Sequence, residues 1–371
     1  MKIEKSVIIE IITIILAIKI FSFILAPLAW TVLKNQPADI IFLWNRWDAP
    51  HYIDIAKNGY TAVGEGRYFI VFLPLYPFLI RVVAFFIRNY EVSALLISNF
   101  ASLFAGFYLY KLVKIDCSHL TALKSVFYFS IFPSSYFLIA GYTESLFLFL
   151  TIAGFYYARK GNWFTAGLMG MFGAATRITG LILIPALIYE LFSQKSKSHS
   201  GYTRKNVKHA LFICMTAFGF ISYLVLNYAV FGDVFAFIAI QREHWFKHLA
   251  PPWEGLSGAL WSIFWSEPAE KVLIGGAELV FGLFGLACII YAVIRKLRPS
   301  YTIYMLLTWL VVASTSYWLS MPRYTLSMFP IFIVLAIIGD KRAELHYVMT
   351  IAFLLFFSFF LVLFTQGYWA F

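Results

Sequence analysis

FIVFLPLYPFLIRVVAFFIR, residues 69–88, is apolar enough and long enough to be taken for a membrane span. If it crosses, every later loop changes side; if it does not, a different set of loops shares each face. Two features argue against a crossing. Pro74 and Pro77 withhold backbone donors and break the start of a helix, and Arg81 and Arg88 interrupt the face that lipid would have to cover. We therefore read the stretch as lying along the outer surface or dipping into it.

The chain around it is that of an integral membrane protein. Of 371 residues, 61% are hydrophobic and 13% charged, where soluble domains run near a quarter charged. Runs at 8–33, 211–231, 272–294 and 347–364 each approach the length of a spanning helix. Helices are required because lipid offers nothing to an open sheet edge. The first run lacks a small-residue cleavage site and flows into aromatic sequence, so it reads as an anchor, not a removed leader. Cys117, Cys214 and Cys288 have no metal-ligand or disulfide spacing. The net charge of +11 reports orientation in such a chain and does not argue for a nucleic-acid partner.

With 69–88 outside, ten crossings follow the anchor, near 93–113, 123–140, 145–158, 164–176, 181–190, 210–231, 271–294, 301–319, 325–339 and 346–365. One side then holds Lys2, Lys5, Lys111, Lys114, Lys124, Arg159, Lys160, the Lys195–Lys208 group, Arg295, Lys296, Arg298, Lys341 and Arg342. These are 17 of the 29 basic residues, and with six acids beside them that side carries the whole net charge of +11. The positive-inside rule makes it the cytoplasmic side. The expectation is an all-α polytopic membrane protein, one domain over 1–371 with about eleven transmembrane helices. The N-terminus is cytoplasmic, and residues 34–92 form a first extracytoplasmic loop with amphipathic juxtamembrane helices. The segments 145–158, 164–176 and 181–190 are short, which suits helices inside a bundle beside a cavity.

The odd polar residues then collect at the extracytoplasmic face. They are Trp47, Asp48 and His51; Arg67; Tyr76; Tyr142 and Glu144; Arg177; His244 and Trp245; and Arg323 with Tyr324. Charged groups at span ends beside a cavity are functional candidates. Each has a structural alternative. Trp47 belongs equally to an interfacial aromatic belt, Asp48 to a helix N-cap before Pro50, Asp54 to a solvated helix face, and Glu144 to a helix dipole. His244 and His248 are four apart, but the HExxH pattern is absent, so no metal or cofactor is assigned and metal dependence stays open. Lys19 and Glu278 sit within spans and receive no role.

No phosphate-cradling glycine loop or nucleotide-binding fingerprint occurs, so a sugar nucleotide has no visible home. A carboxylate, several aromatics and arginines around an outward cavity suit glycosyl transfer from a lipid phosphate. The attacking hydroxyl must lose a proton, for which Asp48 is the candidate base with His51 beside it. The departing phosphate needs its charge held, and Arg177 and Arg323 are suited to bind it in a forked manner. The aromatics supply platforms for sugar and isoprenoid. The competing reading, a transporter or flippase of lipid-linked saccharides, favours internal repeats and broken helices with polar groups near mid-membrane. No convincing repeat is present.

The segments WNRWDAPHYIDIAKNGY, FLPLYPFLIR, PSSYFLIAGYTESLFLF, TRITGLILIP and MPRYTLSMFP, in this order, closely resemble the PIG-V family of mannosyltransferases in the GT-C superfamily. The resemblance covers about 40–335 and looks like that of a prokaryotic relative, without long lumenal insertions. It implies a GT-C glycosyltransferase-like helical bundle with a catalytic acid in the first outer loop, which falls on Asp48. It also implies mannose donated by a polyprenyl or dolichyl phosphate, with inversion, to a glycan or glycolipid acceptor. Partner enzymes of some relatives leave room for an accessory membrane protein.

Overall fold

The computed structural model describes residues 4–196 and 204–371, so Lys2 and Lys197 of the basic segments lie outside the described residues. Regular structure among these residues is helical, apart from one antiparallel bridge between Leu249 and Thr315. In chain order the first helices are α1 Lys5–Lys34, α2 Ile40–Trp44, α3 Ala49–Asn58, α4 Leu75–Ile87, α5 Tyr90–Val113, α6 His119–Ile131, α7 Glu144–Arg159, α8 Trp163–Thr176 and α9 Leu183–Ser196. They continue as α10 Arg204–Cys214, α11 Thr216–Phe231, α12 Ala236–Glu243, α13 Pro252–Trp265, α14 Pro268–Glu270 and α15 Glu278–Ile294. The last are α16 Pro299–Ala313, α17 Met321–Ser327, α18 Pro330–Lys341 and α19 Ala343–Thr365.

Local chemistry sets many boundaries. Side chains of Asp39, Asn89, Ser118 and Asn162 accept from the first-turn amides of α2, α5, α6 and α8. Pro299 and Pro330 open α16 and α18, where a missing N–H costs nothing. In α1 the buried positions Ile11, Ile15, Lys19, Ser22 and Ala26 make one stripe, while Ile9, Ile24 and Leu28 face outward. The short helix α7 is instead buried along nearly its whole length, so a sixteen-residue element needs no lipid-length span. Helices α8 and α11 cross closely at glycine: a Cβ on Gly219 would meet the Met171 carbonyl oxygen at 1.9 Å.

Residues 69–88 are not one straight helix. A 3-10 turn, Glu65–Val71, and α4 meet at 115°. Arg81 is spent on the C-terminus of α3, donating from Nε to Ala56 O at 2.6 Å and from Nη2 to Lys57 O at 3.3 Å. The arginine that argued against a span thus binds α4 along the amphipathic helix α3.

Among the described residues five helices are long and apolar enough to cross a membrane, or seven if two bent pairs each count as a span, and Ile178–Gln194 and Pro299–Ala313 are shorter apolar helices. Two expected crossings are broken. That at 123–140 is helical only to Ile131, with Pro133 next and a 3-10 turn at Ser135–Leu138. That at 325–339 begins at Pro330, and α17 before it is turned by 82°.

Charged side chains gather at the two ends of α7. At its C-terminus Arg159 binds Asp116 at 2.7 Å and the Tyr301 hydroxyl at 2.9 Å. Arg298 forks onto Glu190 at 2.7 and 2.6 Å. At its N-terminus stand Glu144, Arg177, Arg323 and Asp48. The two ends are separated by about 22 Å at the helical rise.

Candidate active site

The N-termini of α3, α7 and α17, the segment after α8 and the stretch after α12 converge on a cavity of about 540 Å³. Its walls include Trp47, Asp48, His51, Arg177, Trp245, Arg323 and Tyr324. Seven of the residues singled out by sequence therefore meet, from four separate chain segments.

Behind the wall lies the charge that organises it. Glu144 is 0% exposed and accepts from Arg177 and from Arg323 through the same oxygen, Oε1. Arg177 also donates to the Thr143 hydroxyl at 3.1 Å, and Arg323 Nη1 to Asp48 Oδ2 at 2.6 Å. The two cations without a nearby acid in sequence are thus paired through one buried carboxylate. The Arg323 guanidinium lies over the Tyr142 ring at 4.9 Å and that of Arg177 over Tyr324 at 5.4 Å.

Asp48 opens α3, but its carboxylate makes no capping bond. Its side chain is 25% exposed, and Oδ1 has no protein partner among the described residues. The main chain beneath it is fixed by Tyr142, whose buried hydroxyl donates to Arg46 O at 2.9 Å and accepts from Asp48 N at 3.1 Å. Trp47 has φ 53° and Ser320 φ 75°, so two non-glycine residues of the cavity wall hold left-handed backbone. Such strain persists where surrounding structure enforces it.

His51 lies among Phe69, Phe72 and Trp245 at centroid distances of 4.4, 5.4 and 5.9 Å. Burial pushes its pKa below the ordinary imidazole value, outweighing the opposite pull of Asp48 and Asp54. The ring is therefore neutral at neutral pH and adds no charge to the cavity.

Other expected positions fall elsewhere. Tyr76 does not line the cavity, because its fully buried hydroxyl is committed to Ala94 O at 3.0 Å and Ser98 Oγ at 2.8 Å. Tyr142 and Glu144 support the wall from behind. Arg67 is paired with the exposed Tyr68 hydroxyl, and His244 stacks flat on the Tyr68 ring at 3.5 Å, so neither borders the cavity. Among the described residues no three His, Cys, Asp or Glu side chains cluster as metal ligands. Asp54, read as a wet helix face, accepts from Asn58 at 2.8 Å.

A family model described as Mannosyltransferase (PIG-V) matches residues 24–253. The chain belongs to that family. The matched part holds Asp48, Glu144, Arg177 and Trp245, and Arg323 lies beyond it. GPI alpha-1,6-mannosyltransferase 2 of Mus musculus is 29% identical over 157 residues, covering 39% of this chain and 31% of that protein. GPI mannosyltransferase 2 of Schizosaccharomyces pombe is 34% identical over 146 residues, 37% of this chain and 30% of its own length. The chain thus spans about a third of the length of the curated relatives it matches. The apo crystal structure of the Archaeoglobus fulgidus oligosaccharyltransferase aligns with a TM-score of 0.51 at 12% identity, over 96% of this chain and 56% of that one. That likeness shows a shared fold.

Lys247 and Trp369 are among the cavity residues that escaped the sequence reading of this family chain. Lys247 lines the cavity with Nζ 5.7 Å from the Tyr317 centroid and 5.4 Å from that of Tyr324, and its nearest oxygen is Leu319 O at 3.4 Å. It stands two residues past Trp245, in a polar segment where one more lysine carries no signal. Trp369 lies edge-on to Trp47 at 5.2 Å. With a cytoplasmic N-terminus and eleven crossings, the C-terminus is expected on the same side as residues 47–51, which was the available clue.

Proposed function

We propose that the chain transfers a mannosyl residue from a polyprenyl or dolichyl phosphate to a glycolipid acceptor, in one inverting displacement. The observation that carries this reading is the asymmetry of the two carboxylates. Asp48 borders the cavity with one oxygen uncommitted, whereas Glu144 is sealed behind two guanidinium groups. A double displacement needs a second carboxylate as nucleophile, and Glu144 is too buried and too engaged for that role. The acceptor hydroxyl attacks the anomeric carbon as its proton passes to Asp48 Oδ1. The bond from that carbon to the phosphate oxygen breaks, and the phosphate leaves with the electron pair as an anion.

That anion is held by Arg177, Arg323 and Lys247. Nε and Nη2 of Arg177 and Nη2 of Arg323 have no protein partner among the described residues. Among the described residues the one hydrogen bond from Lys247 is the long contact to Leu319 O. Membership of the PIG-V family supports mannose, and relatives named as GPI mannosyltransferases support a glycolipid acceptor. Purified protein given labelled polyprenyl phosphate mannose and membrane glycolipid is expected to form a labelled, extended glycolipid. Lys247→Ala is expected to raise the donor KM about tenfold, the value of one charge-assisted contact of about 1.5 kcal/mol. Transfer from nucleotide-linked mannose alone would overturn the donor assignment.

The cavity is read as extracytoplasmic in a chain of about eleven crossings with its N-terminus inside, supported by the gathering of basic segments at the opposite end of α7. In a background lacking Cys117, Cys214 and Cys288, an impermeant maleimide added to intact cells is expected to tag Val63→Cys and to spare Lys160→Cys. The reverse pattern would move the site to the cytoplasm.

A further inference from the structure

Glu278 is a carboxylate inside the apolar helix α15, 0% exposed. Buried charge needs hydrogen bonds to be tolerated, and Glu278 finds them in main chain. Its Oε1 accepts from Ser320 N at 2.7 Å and its Oε2 from Met321 N at 2.6 Å. It thus does from another helix what an N-cap side chain does within one, holding two orphan amides at the start of α17.

What those amides carry explains the location. Ser320 holds φ 75°, which a residue with a Cβ adopts only under constraint. Three residues on, Arg323 binds both Asp48 and Glu144, and one residue back, Leu319 O receives Lys247. Ser320 itself makes no capping bond to α17, and the neighbouring bonds, from Ser134 to Pro322 O and from Thr325 to Phe281 O, leave the amides of 320 and 321 to Glu278.

We infer that Glu278 is a positioning residue for sugar transfer: it pins the turn 319–321 so that Arg323 keeps Asp48 aimed and Lys247 keeps its place on the cavity wall. The inference rests on the transferase reading of the cavity and adds to it a residue that touches no substrate. Without the carboxylate, Ser320 relaxes out of the left-handed region and the guanidinium three residues later moves with it. Glu278→Gln keeps the shape and one acceptor oxygen, but its NH2 faces an amide N–H and cannot accept. Ser320→Gly removes the Cβ that resists φ 75°, so it lowers the demand on the remaining bond.

Hydrogen exchange and steady-state transfer, measured together on full-length protein, test this. Glu278→Gln is expected to speed amide exchange at least tenfold in the peptide over 317–326, while leaving that over 49–58 unchanged. It should lower kcat at least tenfold with the acceptor KM within twofold, and Ser320→Gly in the same chain should recover part of kcat. Glu278→Ala is expected to go further in the same direction or to fail in folding, which is why the glutamine variant decides. Unchanged exchange at 317–326 would overturn the contact. Faster exchange with wild-type kcat would overturn the positioning role. If the wild-type protein transfers nothing from a lipid phosphate, the transferase reading falls and the positioning role with it, while exchange still decides whether Glu278 holds the turn.

Discussion

Asp48→Asn is expected to leave a folded protein that transfers mannose about 10²–10⁴ times more slowly, the range that one general base contributes. The amide is nearly isosteric and its oxygen still accepts from Arg323 Nη1, now 2.6 Å from Asp48 Oδ2. What it loses is the ability to take the acceptor proton. The ion pair removed is partly exposed on the Asp48 side, so the stability change stays within about 1 kcal/mol. Donor binding is expected to survive, because Arg177, Arg323 and Lys247, which hold the phosphate, are all retained in the cavity wall. The measurement is kcat and donor KM on purified variant against wild type, with thermal unfolding as the control for fold. Asp48→Glu, longer by one methylene and confined by Arg323, is expected to fall between the two. Wild-type kcat in the asparagine variant would remove Asp48 as base.

The sequence carried the class and the grouping of segments because both are written in bulk properties. Apolar run lengths mark helices, and basic residues mark one end of the bundle. At 69–88 the two prolines signalled the break, and the helical stretch is bent by 115° there. Asp48, Arg177 and Arg323 stood out as isolated charges at segment ends. Which charges meet is another matter, set by helix packing over separations such as the 275 residues between Asp48 and Arg323. Tyr76 shows the limit: beside Pro77 in an outer segment it resembles a binding ring, and only packing shows its hydroxyl committed to α5. Glu278 shows the converse, an acid in an apolar run with no sequence-near partner, whose amide donors lie more than forty residues later.

The buried acid Glu144 gives the largest expected effect on stability. Arg177 and Arg323 are 12% and 11% exposed, and Glu144 between them is 0% exposed. Removing one member of a buried ionic group strands the others, which costs about 3–5 kcal/mol. In Glu144→Ala two guanidinium groups face each other across an empty site, and Arg323 retains only Asp48. We expect strongly reduced yield and a large fall in the unfolding midpoint in detergent, with transfer lost in whatever folds. Glu144→Gln keeps one acceptor oxygen without the charge and is expected to lie between. A separate variant divides stability from chemistry. Replacing Glu144 by Leu and Arg177 by Met together removes acid and one cation, leaving Arg323 to pair with Asp48, and apolar replacements of buried ion groups are often neutral or stabilising. That protein is expected to regain most of the lost stability and none of the lost transfer, because the phosphate has lost Arg177. Wild-type stability in Glu144→Ala would mean that the ion cluster does not hold α7, α8 and α17 together, and the cavity wall would need another explanation.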